Sequence, residues 1–238
     1  IDFGLVTIEL GPINPIEIFK EDIPCGKLKE YIMASARYPG LKMKQLDGKT
    51  YLDGGMYDNC PVGLLASKGY DEIIAIRLMT NKKLKHINDE FNLIEIQPSM
   101  DLGGTFIFTK ELAHRNIKLG YYDTLKVLRN LRGREYYIEP IDDDIIFSKL
   151  LEIPDDMIFD IGRTMGFENI PAKRMLLEYI IPNIARYLNI NKEDNYQDIL
   201  ILLLEHMAKD RGIEKFKIYK LEEFLRLIRD NDKEIAIQ

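Results

Sequence analysis

Two Asp-Gly pairs, Asp47-Gly48 and Asp53-Gly54, bracket the short run "KTYL", and a further glycine, Gly55, follows directly. Asp-Gly suits a tight hairpin turn, since glycine accepts positive φ. The segment "MKQLDGKTYL" alternates around Asp47-Gly48 and is expected to form such a hairpin. Pro61 fits the first turn of a helix with the body "VGLLASK", and Gly69 fits its stop. "EIIAIRL" is a near-continuous apolar run, as expected for a strand covered on both faces. Strand, helix and strand in that order predict a βαβ unit and an α/β fold.

The flanking sequence extends the same pattern. "FGLVTIEL" reads as a strand stopped by Gly11-Pro12, and "PIEIFKEDIP" holds a further extended piece. "KLKEYIMASARYPG" suits a short helix with Leu28, Tyr31, Ile32 and Met33 apolar, ending before Pro39. "NLIEIQP" reads as another strand. A long helix follows with Ile117, Tyr121, Leu125 and Leu128 on one face and Gly133 as its stop. Beyond the acidic "IEPIDDDI" the pattern is helical throughout, with rows Leu176/Ile180/Ile184/Leu188, Ile199/Leu203/Met207 and Leu221/Phe224/Leu225/Ile228. Pro182 is expected to kink or split the first of these helices. The expected architecture is α/β over residues 1–137, a parallel or mixed sheet with flanking helices, then an all-helical region over 138–238.

Charge and composition remove several function classes. A net charge of −6 and a pI near 5.3 argue against a general nucleic-acid binder. No apolar run reaches the ~18 residues of a membrane span; "ILILLLEHM" is interrupted by Glu205. The first segment carries Asp2 and Glu9, unlike the basic start of a signal peptide. Cys25 and Cys60 are too few for a disulfide framework, which favours a reducing, cytoplasmic setting. His86, His114 and His206 lack metal-ligand spacing, and Asp53, Asp58 and Asn59 lack the calcium-loop pattern. No glycine-rich phosphate loop occurs, so neither metal nor cofactor is expected.

Asp53 then stands out, at the end of an expected strand with Gly54 and Gly55 behind it. Carboxyl ends of strands in α/β folds gather functional loops, and glycines allow close approach of backbone to a ligand. The same three residues also make a good turn. Spacing alone therefore leaves a cleft-mouth carboxylate and a plain turn both open.

The ordered set Ala34-Ser35, Pro39-Gly40, Asp53-Gly54-Gly55, Asn59 and Pro61, followed by an apolar strand, resembles the C-terminal half of the catalytic domain of patatin-like phospholipases. "LGYYDTLKVLRNLRGREYY" is similar to the helix that follows in bacterial members. The resemblance implies a partial patatin-like domain over 1–137 and a lipid acyl hydrolase of phospholipase A or esterase type. Its implied mechanism is a serine–aspartate dyad with Asp53 as the carboxylate and Gly54 and Gly55 in the active-site loop. The family's nucleophile sits in a Gly-x-Ser-x-Gly elbow, and a glycine-rich loop holds the oxyanion; neither motif occurs here. Both precede the point corresponding to Ile1, and the chain opens mid-strand without methionine, as expected for a portion of a longer hydrolase. Ser35 is a poor substitute, since alanines flank it where an elbow needs glycines. The 238-residue chain alone is therefore expected to be inactive. The implied partners are a lipid or acyl-ester substrate, a transient membrane surface, and a second copy through an uncovered sheet edge. The competing expectation is a non-catalytic interaction module that uses its helical tail.

Overall fold

In the computed structural model, residues 2–11, 13–38, 45–78, 84, 91–104, 106–190 and 195–235 are described, the last four through their backbone alone. Pro39, Gly40, His86 and the first arm of the expected Asp47-Gly48 hairpin through Lys44 lie outside them. The chain divides into two compact units, Ile1–Pro98 and Ser99–Gln238.

In the first unit, β1 (Gly4–Leu10) is paired on both edges. β2 (Asn14–Phe19) and β3 (Thr50–Asp53) flank it, both antiparallel, with Thr7 opposite Asp53. Thr7 is fully buried, and its hydroxyl donates to the Leu52 carbonyl at 2.9 Å, which fixes β3 in register. α1 (Leu28–Ser35) packs Ala34 against Leu46 and Tyr51, while Leu28, Ile32 and Met33 face outward. The expected turn forms: Asp47 and Gly48 both adopt positive φ, and Leu46 and Lys49 exchange backbone hydrogen bonds.

α2 (Val62–Ala66) leads to β4 (Glu72–Ile76), which pairs in parallel with β5 (Asn92–Ile96). Gly69, after α2, takes a φ of 88°, as a helix stop requires. Here two expectations need correcting. β3 and β4 lie in separate sheets, so the strand–helix–strand run does not build one βαβ ladder. Nor is β4 covered on both faces: Ile73 and Ala75 pack on Val62, while Ile74 and Ile76 are 55% and 70% exposed. An all-apolar strand shows no period, so the sequence could not reveal that only one face finds a partner.

The second unit begins with α3 (Lys110–Leu128), capped by the Thr109 hydroxyl accepting the Leu112 N–H. The helix stops before Gly133, because Asn130 already takes a left-handed φ of 52°. The expected row does share one face, but Ile117, Tyr121 and Leu128 on it face solvent, while Leu119 and Asp123 are buried. α4 (Asp143–Leu151), α5 (Asp155–Thr164) and α6 (Ala172–Arg174) follow. α6 runs through a π-helical turn, Met175–Ile180, into α7 (Ile181–Tyr187). Pro182 lacks an N–H and its ring crowds the carbonyl four residues back, so the widened turn ahead of it is the expected distortion.

α8 (Tyr196–Asp210) starts with a reciprocal capping box between Asn195 and Asp198. α9 (Leu221–Ile235) lays Leu221, Phe224 and Ile228 into a core shared with Ile201, Leu204 and Ala208 of α8. The region expected to be all-helical, 138–238, is not so: it takes part in a short parallel pair of strands, β6 (Tyr137–Ile138) and β7 (Ile218–Tyr219). Two residues are too few to show period-2 patterning; burial of Tyr137, Ile138 and Tyr219 places them. The expected limit at residue 137 also differs from the compact division after Pro98, because α3 and Ser99 belong with β6. The Asp123 carboxylate is the link: it accepts the Ser99 N–H at 2.9 Å and the Tyr137 hydroxyl at 3.0 Å.

Candidate functional site

Asp53 is the last residue of β3 and is half-buried. Its N–H donates to the Arg37 carbonyl at 2.9 Å, tying the strand end to the segment just past α1. Its Oδ1 accepts the Gly55 N–H at 2.8 Å and so caps a 3₁₀ turn, Gly54–Met56. Its Oδ2 has no protein donor among the described residues. One oxygen is thus committed to holding the turn.

Neither glycine has a positive φ, and Gly54 is needed for space. A Cβ on Gly54 would lie 2.0 Å from the Val6 carbonyl oxygen of β1. A Cβ on Gly55 would lie 2.7 Å from Asn59 Oδ1 and 3.1 Å from Asp53 Oδ1. The turn therefore packs backbone to backbone on the sheet at Gly54, while the Asn59 and Asp53 side chains both border Gly55. The N–H groups of Tyr57 and Asp58 both donate to the Gly54 carbonyl, and buried Asp58 accepts the Cys60 N–H at 3.0 Å. Residues 53–60 form one rigid loop built largely from its own hydrogen bonds.

The other residues singled out in the sequence are not drawn into this loop. Ser35 is half-buried at the last position of α1, and no hydrogen bond joins it to Asp53. Ser67 donates to the Leu64 carbonyl, while Ser99 lies 3.4 Å from the Tyr137 hydroxyl in the other unit. His114 is exposed on α3, and His206 lies 3.1 Å from the Tyr187 hydroxyl. No group of acidic, histidine and cysteine side chains among the described residues could hold a metal ion. Cys25 and Cys60 are both free, and burial pushes the Cys60 thiol above its usual range. No helix among the described residues is long and apolar enough to cross a membrane.

Sequence reasoning passed over the most polar part of the second unit's interior. Glu205 of α8 is buried, and its carboxylate accepts the N–H groups of Arg134, Glu135 and Tyr136 at 2.7 to 3.0 Å. Burial pushes this carboxyl above its ordinary range, opposed by those three donors and by Lys126. Lys126 is itself pushed below its ordinary range by burial. Gly133 leaves the room: a Cβ there would lie 2.5 Å from Glu205 Oε1. The signal was present, since Glu205 interrupts the apolar run "ILILLLEHM". A groove of 370 Å³ beside it is lined by Arg134, Tyr187, Leu202, His206 and Lys209, and one of 500 Å³ lies between α8 and α9. Asp53 lines neither groove.

No protein-family profile, curated protein or solved structure matches this chain.

Proposed function

We propose that this chain carries the aspartate-bearing half of a patatin-like lipid acyl hydrolase that works through a serine–aspartate dyad. The observation that supports the reading most is that Asp53 ends β3 with Oδ1 held by the Gly55 N–H, while Oδ2 takes no protein hydrogen bond among the described residues. A base that must accept or orient a hydroxyl proton needs a fixed carboxylate with one free oxygen. The hydrogen bonds within the 53–60 loop supply the fixation. In this reading the serine attacks the acyl carbonyl, Asp53 takes up or orients its proton, and water then releases the acyl group. None of Ser35, Ser67, Ser99 and Ser148 lies in a glycine-flanked elbow, so the reading assigns the nucleophile and the oxyanion donors to sequence outside these 238 residues. Loss of even one oxyanion donor typically costs ~10²–10³ in rate, so the chain alone turns over no ester.

The test compares a parent polypeptide carrying an upstream Gly-x-Ser-x-Gly segment with its Asp53→Asn variant on a short acyl ester. Hydrolysis by the parent and none by the variant is the expected pair of results. Full activity in the variant ends the reading.

A further inference from the structure

α3 carries two apolar stripes, and the fold uses the less obvious one. Leu112, Leu119 and Tyr122 turn inward with the buried Asp123. Ile117, Tyr121 and Leu128, which share the opposite face, are 70%, 61% and 58% exposed. Directly before the helix, Phe106, Ile107 and Phe108 are three consecutive exposed apolar residues, with Phe108 at 88%. From Ile117 to Leu128 this row runs for about 16 Å at ~1.5 Å per helical residue. Isolated exposed apolar residues need no explanation, but an apolar row on one helix face with exposed aromatics ahead of the helix does.

We propose that this face of α3, with the Phe106–Phe108 segment, is a docking surface for an anionic lipid bilayer. The charge around it selects that partner. Lys110, Lys118 and Arg129 are exposed along or beside the row, and Glu111 is the one carboxylate that α3 exposes, since Asp123 is buried. These three exposed cations outnumber the one exposed carboxylate of α3, in a chain whose net charge is −6. A helix of this kind lies in the plane of the interface with its apolar face ~5–10 Å deep and its basic residues on lipid phosphates. Aromatic side chains suit the headgroup level, and tyrosine sits there with its ring in the apolar layer and its hydroxyl wet. The inference concerns the second unit alone and stands independently of the dyad.

The experiment is co-sedimentation of the 238-residue chain with phosphatidylcholine vesicles, with and without phosphatidylglycerol, at low and high salt. Strong pelleting with the anionic vesicles, falling severalfold as salt is raised, is the expected result. Lys110→Glu with Lys118→Glu should weaken partitioning about tenfold or more, at ~1 kcal/mol per basic residue near the surface. Phe108→Ser with Ile117→Ser should weaken it to a similar extent while leaving the far-UV spectrum unchanged, because both side chains are exposed. The salt and lipid dependence of the unaltered chain reads the same property without any substitution. Absence of binding to anionic vesicles, equal binding to neutral ones, or binding indifferent to all four substitutions would overturn the proposal. So would a lipid-free dimer that Phe108→Ser with Ile117→Ser converts to monomer, because the face would then belong to a second copy.

Discussion

Glu205 Oε1 lies 2.7 Å from the backbone nitrogen of Tyr136, inside a buried pocket that also holds the N–H groups of Arg134 and Glu135. One side chain of α8 thereby fixes the loop that delivers Tyr136 and Tyr137 to the core. Glu205→Ala would leave these donors without an acceptor, and buried unmet donors cost ~1–3 kcal/mol each. The expected loss is about 2–4 kcal/mol in urea unfolding, with Glu205→Gln about half as severe because its amide oxygen keeps part of the set.

Three phenols in the same unit donate to protein oxygens: Tyr136 to the Ile213 carbonyl, Tyr137 to Asp123 and Tyr219 to the Glu214 carbonyl. Burial pushes Tyr136 and Tyr219 up to about 12 and Tyr137 further still. The folded state holds these protons to higher pH than the unfolded chain does. Their contribution is therefore complete below pH ~10 and is lost as the pH rises toward about 12. Thermal unfolding between these limits should show falling stability, and Tyr136→Phe with Tyr219→Phe should flatten that alkaline limb.

Two glycines give opposite expectations for the same substitution. Gly54→Ala sets a methyl group 2.0 Å from the Val6 carbonyl oxygen and must displace β1 or the turn. It should cost about 3 kcal/mol or prevent folding of the first unit. Gly120, inside α3, has open space around its Cβ position and no positive φ, so Gly120→Ala should stabilise the second unit by about 0.5–1 kcal/mol. Chemical denaturation of both variants checks the pair.

Asp53→Asn separates the turn from the chemistry. The Asn carboxamide oxygen can still accept the Gly55 N–H, so stability should stay within about 0.5 kcal/mol of the original chain. Asp53→Ala loses that cap and should cost about 1 kcal/mol. A large loss of stability in Asp53→Asn would mean that the negative charge serves the fold, and the carboxylate would no longer be free for catalysis.

Local steric and hydrogen-bonding rules make part of this fold legible in the amino-acid order. The Asp47-Gly48 turn, the stop at Gly69, the distortion ahead of Pro182 and the strand end at Asp53 follow from what a few adjacent residues permit. The loop around Asp53 is legible in position, but its need for Gly54 is not. That glycine answers to the Val6 carbonyl of β1, a contact between distant stretches of chain that no local pattern encodes.

Where segments bend, begin and end was written into neighbouring residues, because those outcomes depend on φ, ψ and the nearest hydrogen bonds. Which face each segment buries, and which strands pair, was settled only when remote parts of the chain met. α3 offers an apolar row through Ile117 and Tyr121, yet it buries the face bearing Asp123, because Ser99 and Tyr137 supply partners for that carboxylate. β4 is apolar on both sides and finds cover on one. Burial is a competition among distant surfaces, and periodicity records only that a surface is suited to it, never which partner arrives.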